Sequence, residues 1–248
     1  MTLSMLALLF AAGLWAGAQN ALAGGGSFIT LPALILSGLD PKLANITSTV
    51  ALFPGQVTTG WAGRSLVAGT QRLSFRAFAV ISLLGGIAGA FLLLRTPTAL
   101  FAAMVPWLVL AATLLFAWSS FGPKAEVEPV PPPAWVSALI QSCIAVYSGF
   151  FGGGAGIVTM AALTLARMPV RNAGGTKNVL VALSNIAAAL VFAATAAIAW
   201  DKALAIGAGS MIGGYVGAQG LRRLPAIWLK VGVVVVGSAL TVALFVRG

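Results

Sequence analysis

Two runs of three glycines, Gly24-Gly25-Gly26 and Gly152-Gly153-Gly154, are where this 248-residue sequence could do chemistry. Each precedes a short apolar stretch, Phe28 to Ser37 and Ile157 to Ala166. Each stretch is roughly half the ~20 residues that a helix needs to cross the hydrocarbon core. Glycine costs ~1 kcal/mol relative to alanine inside a helix, so three in a row at membrane depth ask for a reason. Close helix packing is the plainer one. A break is favoured because the runs are unperiodic, open a half-helix and occur twice. A half-helix beginning there presents unpaired N–H groups and about half a positive charge, and two such ends meeting would hold a small oxyanion. Gln19, Asn20, Ser27 and Thr30 flank the first break, and Tyr147, Ser148 and Thr159 the second. Their hydroxyl and amide groups would complete the shell, although any one Ser or Thr can equally bond back to a helix carbonyl.

A second polar cluster follows each half-helix: Asn45 to Thr49 (NITST, with Thr47 and Ser48) and Gly175 to Asn178 (GTKN, with Thr176 and Lys177). The simplest role for these residues is N-capping of the next span. Lys177 is not explained by capping. It either snorkels to the interface or faces a pathway as the fixed cation for an anion, and both readings stay open at this stage. Its counterpart in the first cluster is Ser48, so any such charge is asymmetric.

Other chemistry lacks its reagents. There is no His, a single Cys143 and only four acids, Asp40, Glu126, Glu128 and Asp201, all in or beside polar breaks. The common metal sets, an internal disulfide and a membrane-embedded acid–base pair are therefore not expected, and no metal or cofactor is implied. The net charge of +10 is scattered between apolar runs, which argues for basic loops and against nucleic acid.

The elements that must position these residues are apolar helices. With 60% hydrophobic and 7% charged residues, the chain cannot cover a soluble globule. Full spans are expected at Leu3 to Ala23, Leu43 to Gly63, Ala77 to Leu94, Ala99 to Ser119, Ala134 to Phe150, Asn178 to Trp200, Ala203 to Gly220 and Ala226 to Val246. Residues 119–133 (SSFGPKAEVEPVPPP) are too polar for lipid and too proline-rich for a helix. They form a linker, expected to be cytoplasmic, between a first repeat at 1–118 and a second at 134–248. Ala21-Leu22-Ala23 mimics a signal cleavage site, but MTLSM has no basic region, so a retained first span is expected.

The halves repeat. An offset of 128 residues puts Gly24 to Gly26 on Gly152 to Gly154 and Ile29 on Ile157, and SLLGGIAGA from Ser82 on SMIGGYVGA from Ser210. With one inserted residue, Lys42, Ala44, Thr47 and Gln56 fall on Arg171, Ala173, Thr176 and Asn185. If each glycine-broken segment returns to its starting side, ten basic residues (Arg64, Arg72, Arg76, Lys124, Arg167, Arg171, Lys177, Arg222, Arg223 and Lys230) fall on one side. Four (Lys42, Arg95, Lys202 and Arg247) fall on the other. That bias makes the first side cytoplasmic, the termini extracytoplasmic and the repeats inverted. If each broken segment crosses once, the split weakens to about eight against six.

The stretches GGGSFITLPALILSGLDPKLANITSTVA and FGGGAGIVTMAALTLARMPVRNAGGTKNVL resemble the TauE/SafE sulfite exporter family, over nearly the whole chain. The shared pattern is Gly-Gly-Gly, an apolar half-helix with Pro32, a short loop, and the Thr-containing elements Ala44 to Ser48 and Ala173 to Lys177. The second copy departs from it at Lys177, where the first has Ser48, and at Met160, where the first has a proline. The resemblance implies an all-α inner-membrane permease of about eight spans that exports sulfite or a sulfonate such as sulfoacetate; the alternatives are a permease for another small carboxylate or inorganic anion and a membrane-embedded enzyme, the last disfavoured by the missing acid–base and nucleophilic groups. Its partners would be the anion and the bilayer, and a homodimer is compatible with it. The expected substrate-binding residues are Asn20, Gly24, Gly25, Gly26, Ser27, Thr47, Ser48, Tyr147, Ser148, Gly152, Gly153, Gly154, Thr176, Lys177 and Asn178.

Overall fold

Glycine, with no Cβ, can turn the chain with a positive φ where other residues strain, and the two glycine runs use that freedom. Gly24 and Gly25 have φ of 84° and 85°, and Gly152 and Gly154 have 76° and 75°. Each run ends one helix and starts a short one. The computed structural model describes residues 2–22, 24–70, 72–122 and 131–220, together with single helical positions between 231 and 246. Its regular structure is helical throughout the described residues. The order is α1 (Leu3–Leu22), α2 (Ser27–Leu36), α3 (Pro41–Gly63), a 3-10 turn (Arg64–Leu66), α4 (Phe75–Arg95) and α5 (Thr98–Phe121). The second half adds α6 (Ala134–Phe150), α7 (Ala155–Leu165), α8 (Val170–Thr195) and α9 (Trp200–Gly220). The expected last span and Lys124, Glu126, Glu128, Arg222, Arg223, Lys230 and Arg247 lie outside the described residues or at positions too sparse to trace.

α2 and α7, with 10 and 11 residues, are half-helices of about 15 Å, as the composition after each glycine run requires. Of the described helices, four have segments long and apolar enough to cross a membrane: Leu3–Ala21, Phe75–Arg95, Thr98–Leu115 and Arg171–Thr195. α3 and α9 have the length but carry buried polar residues such as Asn45, Gln56 and Ser210, and α6 has 17 residues.

Helix starts differ from expectation at both polar clusters. α3 begins at Pro41, with the Asp40 carboxylate accepting from the amides of Lys42 and Leu43 at 3.1 Å each. α8 begins at Val170 behind Pro169, eight residues before the expected Asn178, and ends at Thr195 instead of Trp200. The polar clusters are therefore not N-caps: they lie inside the helices with buried side chains. Proline at a helix start loses only an amide that has no intrahelical partner, so Asp-Pro and Pro-Val outcompete polar runs that hydropathy alone reads as ends.

The halves interlock. α1 packs on α9 and α6 on α4; α9 also packs on α3, and α4 on α8. Under the 128-residue offset each pair maps onto the other. Small residues make the contacts: a Cβ at Gly13 or Gly17 would strike the carbonyls of Ile206 and Ser210, and one at Gly89 or Gly149 those of Val146 and Gly86. The stripes Gly85/Gly89 and Gly209/Gly213/Gly217 are thus where helices touch. α3 meets α8 between the two sets, and large side chains such as Leu3, Leu8 and Trp15 face outward, as lipid contact demands.

Candidate functional site

The two glycine breaks touch. A Cβ at Gly24 would stand 3.2 Å from the Gly156 Cα, and one at Gly152 would stand 3.8 Å from Ser27 Oγ. Beside them is a cavity lined by Asn20, Gly24, Gly25 and Ser27 from the first break and Gly152 and Gly156 from the second. Gln56 and Thr59 of α3 and Lys177, Asn178, Val181 and Asn185 of α8 complete it. It is small, with room for about one or two waters.

Its polar groups are both donors and acceptors. Asn20 Oδ1 accepts from the Gly26 amide at 2.7 Å and Asn185 Oδ1 from Ser148 Oγ at 3.0 Å, which leaves both NH2 groups to a solute, while Gln56 Oε1 is buried without a partner and the Thr59 hydroxyl donates to the carbonyls of Gly55 and Gln56. Gln19 braces the turn by donating from Nε2 to the Gly24 carbonyl at 3.3 Å. Lys177, about 10 Å into α8 by helical rise, is 4% exposed. Among the described residues it has neither a hydrogen bond nor an ion pair. An ammonium buried among apolar helices needs a counter-charge, and no described carboxylate supplies one. Lys177 is therefore inside the protein against the cavity, and not extended to an interface.

Of the expected residues, Asn20, Gly24, Gly25, Ser27, Gly152, Lys177 and Asn178 line this cavity. The others stand around it with other partners. Gly26 caps α2, Gly154 caps α7, and the Tyr147 hydroxyl donates to the Gly153 carbonyl. Ser148 holds Asn185, and Ser48 shares a 2.6 Å hydrogen bond with Thr30. Thr47 and Thr176 bind loops. Thr47 Oγ1 accepts from the Ala199 amide at 3.3 Å; Thr176 Oγ1 accepts from the Ala68 amide at 3.0 Å and donates to the Ala68 carbonyl at 3.2 Å. Sequence reasoning missed Gln56, Thr59, Gly156, Val181 and Asn185. A signal existed for two of them: Gln56 and Asn185 are amides at equivalent places in otherwise apolar spans.

The ends of the molecule are also linked. Lys42 Nζ donates to the carbonyls of Leu94 and Thr96 at 3.0 and 2.6 Å, and Lys202 Nζ to that of Ser37 at 2.8 Å. Asn172 Nδ2 reaches the Leu66 carbonyl at 3.0 Å beside the Thr176–Ala68 pair.

A family model described as "Sulfite exporter TauE/SafE" matches residues 9–244. A probable membrane transporter protein, ORF9, from Sinorhizobium is 32% identical over 244 residues, covering 97% of this chain and 92% of its own. One from Haemophilus influenzae is 30% identical over 222 residues, covering 88% and 85%. The probable membrane transporter protein YfcA of Escherichia coli K12 is 26% identical, covering 87% and 80%.

Proposed function

Since the chain belongs to the TauE/SafE sulfite exporter family and is a multi-pass membrane transporter, we propose that it exports a small sulfur oxyanion, sulfite or a compact sulfonate, bound where the two glycine breaks meet. The observation that carries this reading is Lys177, a buried cation without a protein counter-charge among the described residues, which lines the cavity where the two breaks meet. A fixed cation there attracts an anion and repels a cation. We read the protein as a carrier and not an enzyme, in the bacterial inner membrane.

Two inverted repeats, each a glycine-broken hairpin and three spans, are the architecture proposed. Lys42, Thr96, Ser37 and Lys202 bond into one end and Leu66, Ala68, Asn172 and Thr176 into another, which supports hairpins that return to their starting side. On this reading the basic loops are cytoplasmic and the termini outside. An inside-negative potential then favours anion exit by ~2.3 kcal/mol per charge per 100 mV, and about twice that for a dianion, so no coupling ion is needed.

The test is efflux of radiolabelled sulfite from proteoliposomes under an imposed potassium diffusion potential. Efflux should rise with inside-negative potential and be competed by small oxyanions. Efflux indifferent to potential would overturn the uncoupled mechanism, and competition by carboxylates alone would reassign the substrate.

A further inference from the structure

Phe28 is the second residue of α2 and is 1% exposed. Its ring lies between the two glycine breaks: a Cβ at Gly25 would stand 3.0 Å from Cδ2, and one at Gly154 would stand 3.4 Å from Cζ. Ala112 of α5 and Ile157 of α7 close round it. In the repeat register that aligns Ile29 with Ile157, the counterpart of Phe28 is Gly156. Equivalent positions thus hold one of the largest side chains and no side chain at all. The cavity lies on the glycine side: Gly156 lines it and Phe28 does not. Where two repeats build a site between them, a near-twofold cavity is expected, and here one lobe is filled by a phenyl ring while the other remains beside Lys177.

We propose that Phe28 is a specificity-determining residue, which fills the second lobe of the site and so restricts the substrate to sulfite or a sulfonate with a very short organic group. This rests on the reading of the cavity as the anion site. The cavity is small, with no room for an alkyl tail of several carbons. Truncating a buried phenylalanine leaves an apolar space, here lined by Ala112 and Ile157, which suits such a tail. The charged head would stay with Lys177 and the tail would extend past Gly25 and Gly154.

The test is calorimetric affinity, in detergent, for sulfite and for methane-, ethane- and propanesulfonate, with wild type, Phe28→Ala, Phe28→Leu and Gly156→Ala. Wild type should lose affinity steeply along the series. In Phe28→Ala the ratio of propanesulfonate to sulfite affinity should rise at least tenfold, and in Phe28→Leu, which keeps more of the packing, by a smaller factor in the same direction. Gly156→Ala should weaken every member, because Gly156 lines the cavity and its Cα lies close to Gly24 of the other break. An unchanged ratio in Phe28→Leu and Phe28→Ala, or in Phe28→Leu alone if the alanine variant does not fold, overturns the proposal. Wild type that binds none of these anions overturns the assignment of the site itself, a separate result.

Discussion

Lys177 concentrates the electrostatics of the site in one residue. It is buried in α8 and lines the cavity, yet the equivalent residue of the first half is Ser48, bonded to Thr30. One cation serves a site built from two repeats, so its removal is not compensated from the other half. Lys177→Gln should weaken anion binding by ~1.5–3 kcal/mol, the usual worth of a charge-assisted hydrogen bond, and by more where sulfite is a dianion than where it is a monoanion. Calorimetry at two pH values on either side of that titration measures both. A loss within about twofold that is equal for the two charge states would mean that the ammonium does not touch the anion. At this scale the sequence was partly legible. The glycines, Asn20, Ser27 and Lys177 were visible by type and Gln56 only through its alignment with Asn185, whereas Thr59 was not, because a lone polar residue in an apolar span does not reveal which neighbour it faces.

Among the elements, α3 and α8 each carry a threonine that holds a loop from the other half. Thr176 bridges both backbone groups of Ala68 in the loop before α4, and Thr47 accepts from Ala199 in the loop before α9. The two contacts are equivalents under the repeat and lie at opposite ends of the site. Thr176→Val should keep the volume but orphan the Ala68 amide, at about 1–2 kcal/mol for a buried hydrogen bond. Amide exchange at Ala68, followed by mass spectrometry, should then quicken by about 5- to 30-fold while Ala199 keeps its wild-type rate. Equal acceleration at both loops would indicate general loosening. Composition anticipated that both clusters were special but assigned them to capping. Asp40-Pro41 and Pro169 take that role instead, which frees the clusters to bond across the fold.

On the scale of the whole molecule, the first helix of each half packs on the fourth helix of the other, so neither half encloses its own glycine faces. The proposed inverted arrangement makes a topological prediction. After the exposed Cys143 is replaced by serine, a cysteine at Arg95 should react with an impermeant thiol reagent from outside intact cells, and one at Arg72 only after permeabilisation. Both reacting from the same side would rule out an odd number of crossings between them and with it the inverted repeat.

The sequence by itself determined where the chain must break, how long the half-helices are and which residue types are absent from it. These depend on backbone freedom at glycine, on the hydropathy of each stretch and on composition, all of which are local. Only the tertiary structure decided that Lys177 faces inward, that Thr47 and Thr176 bind loops, that Gln56 and Asn185 share a cavity and that Phe28 sits opposite a glycine. Each of those outcomes depends on the rotation of a helix about its own axis, and that rotation is set by the helix it packs on, which here belongs to the other half of the chain.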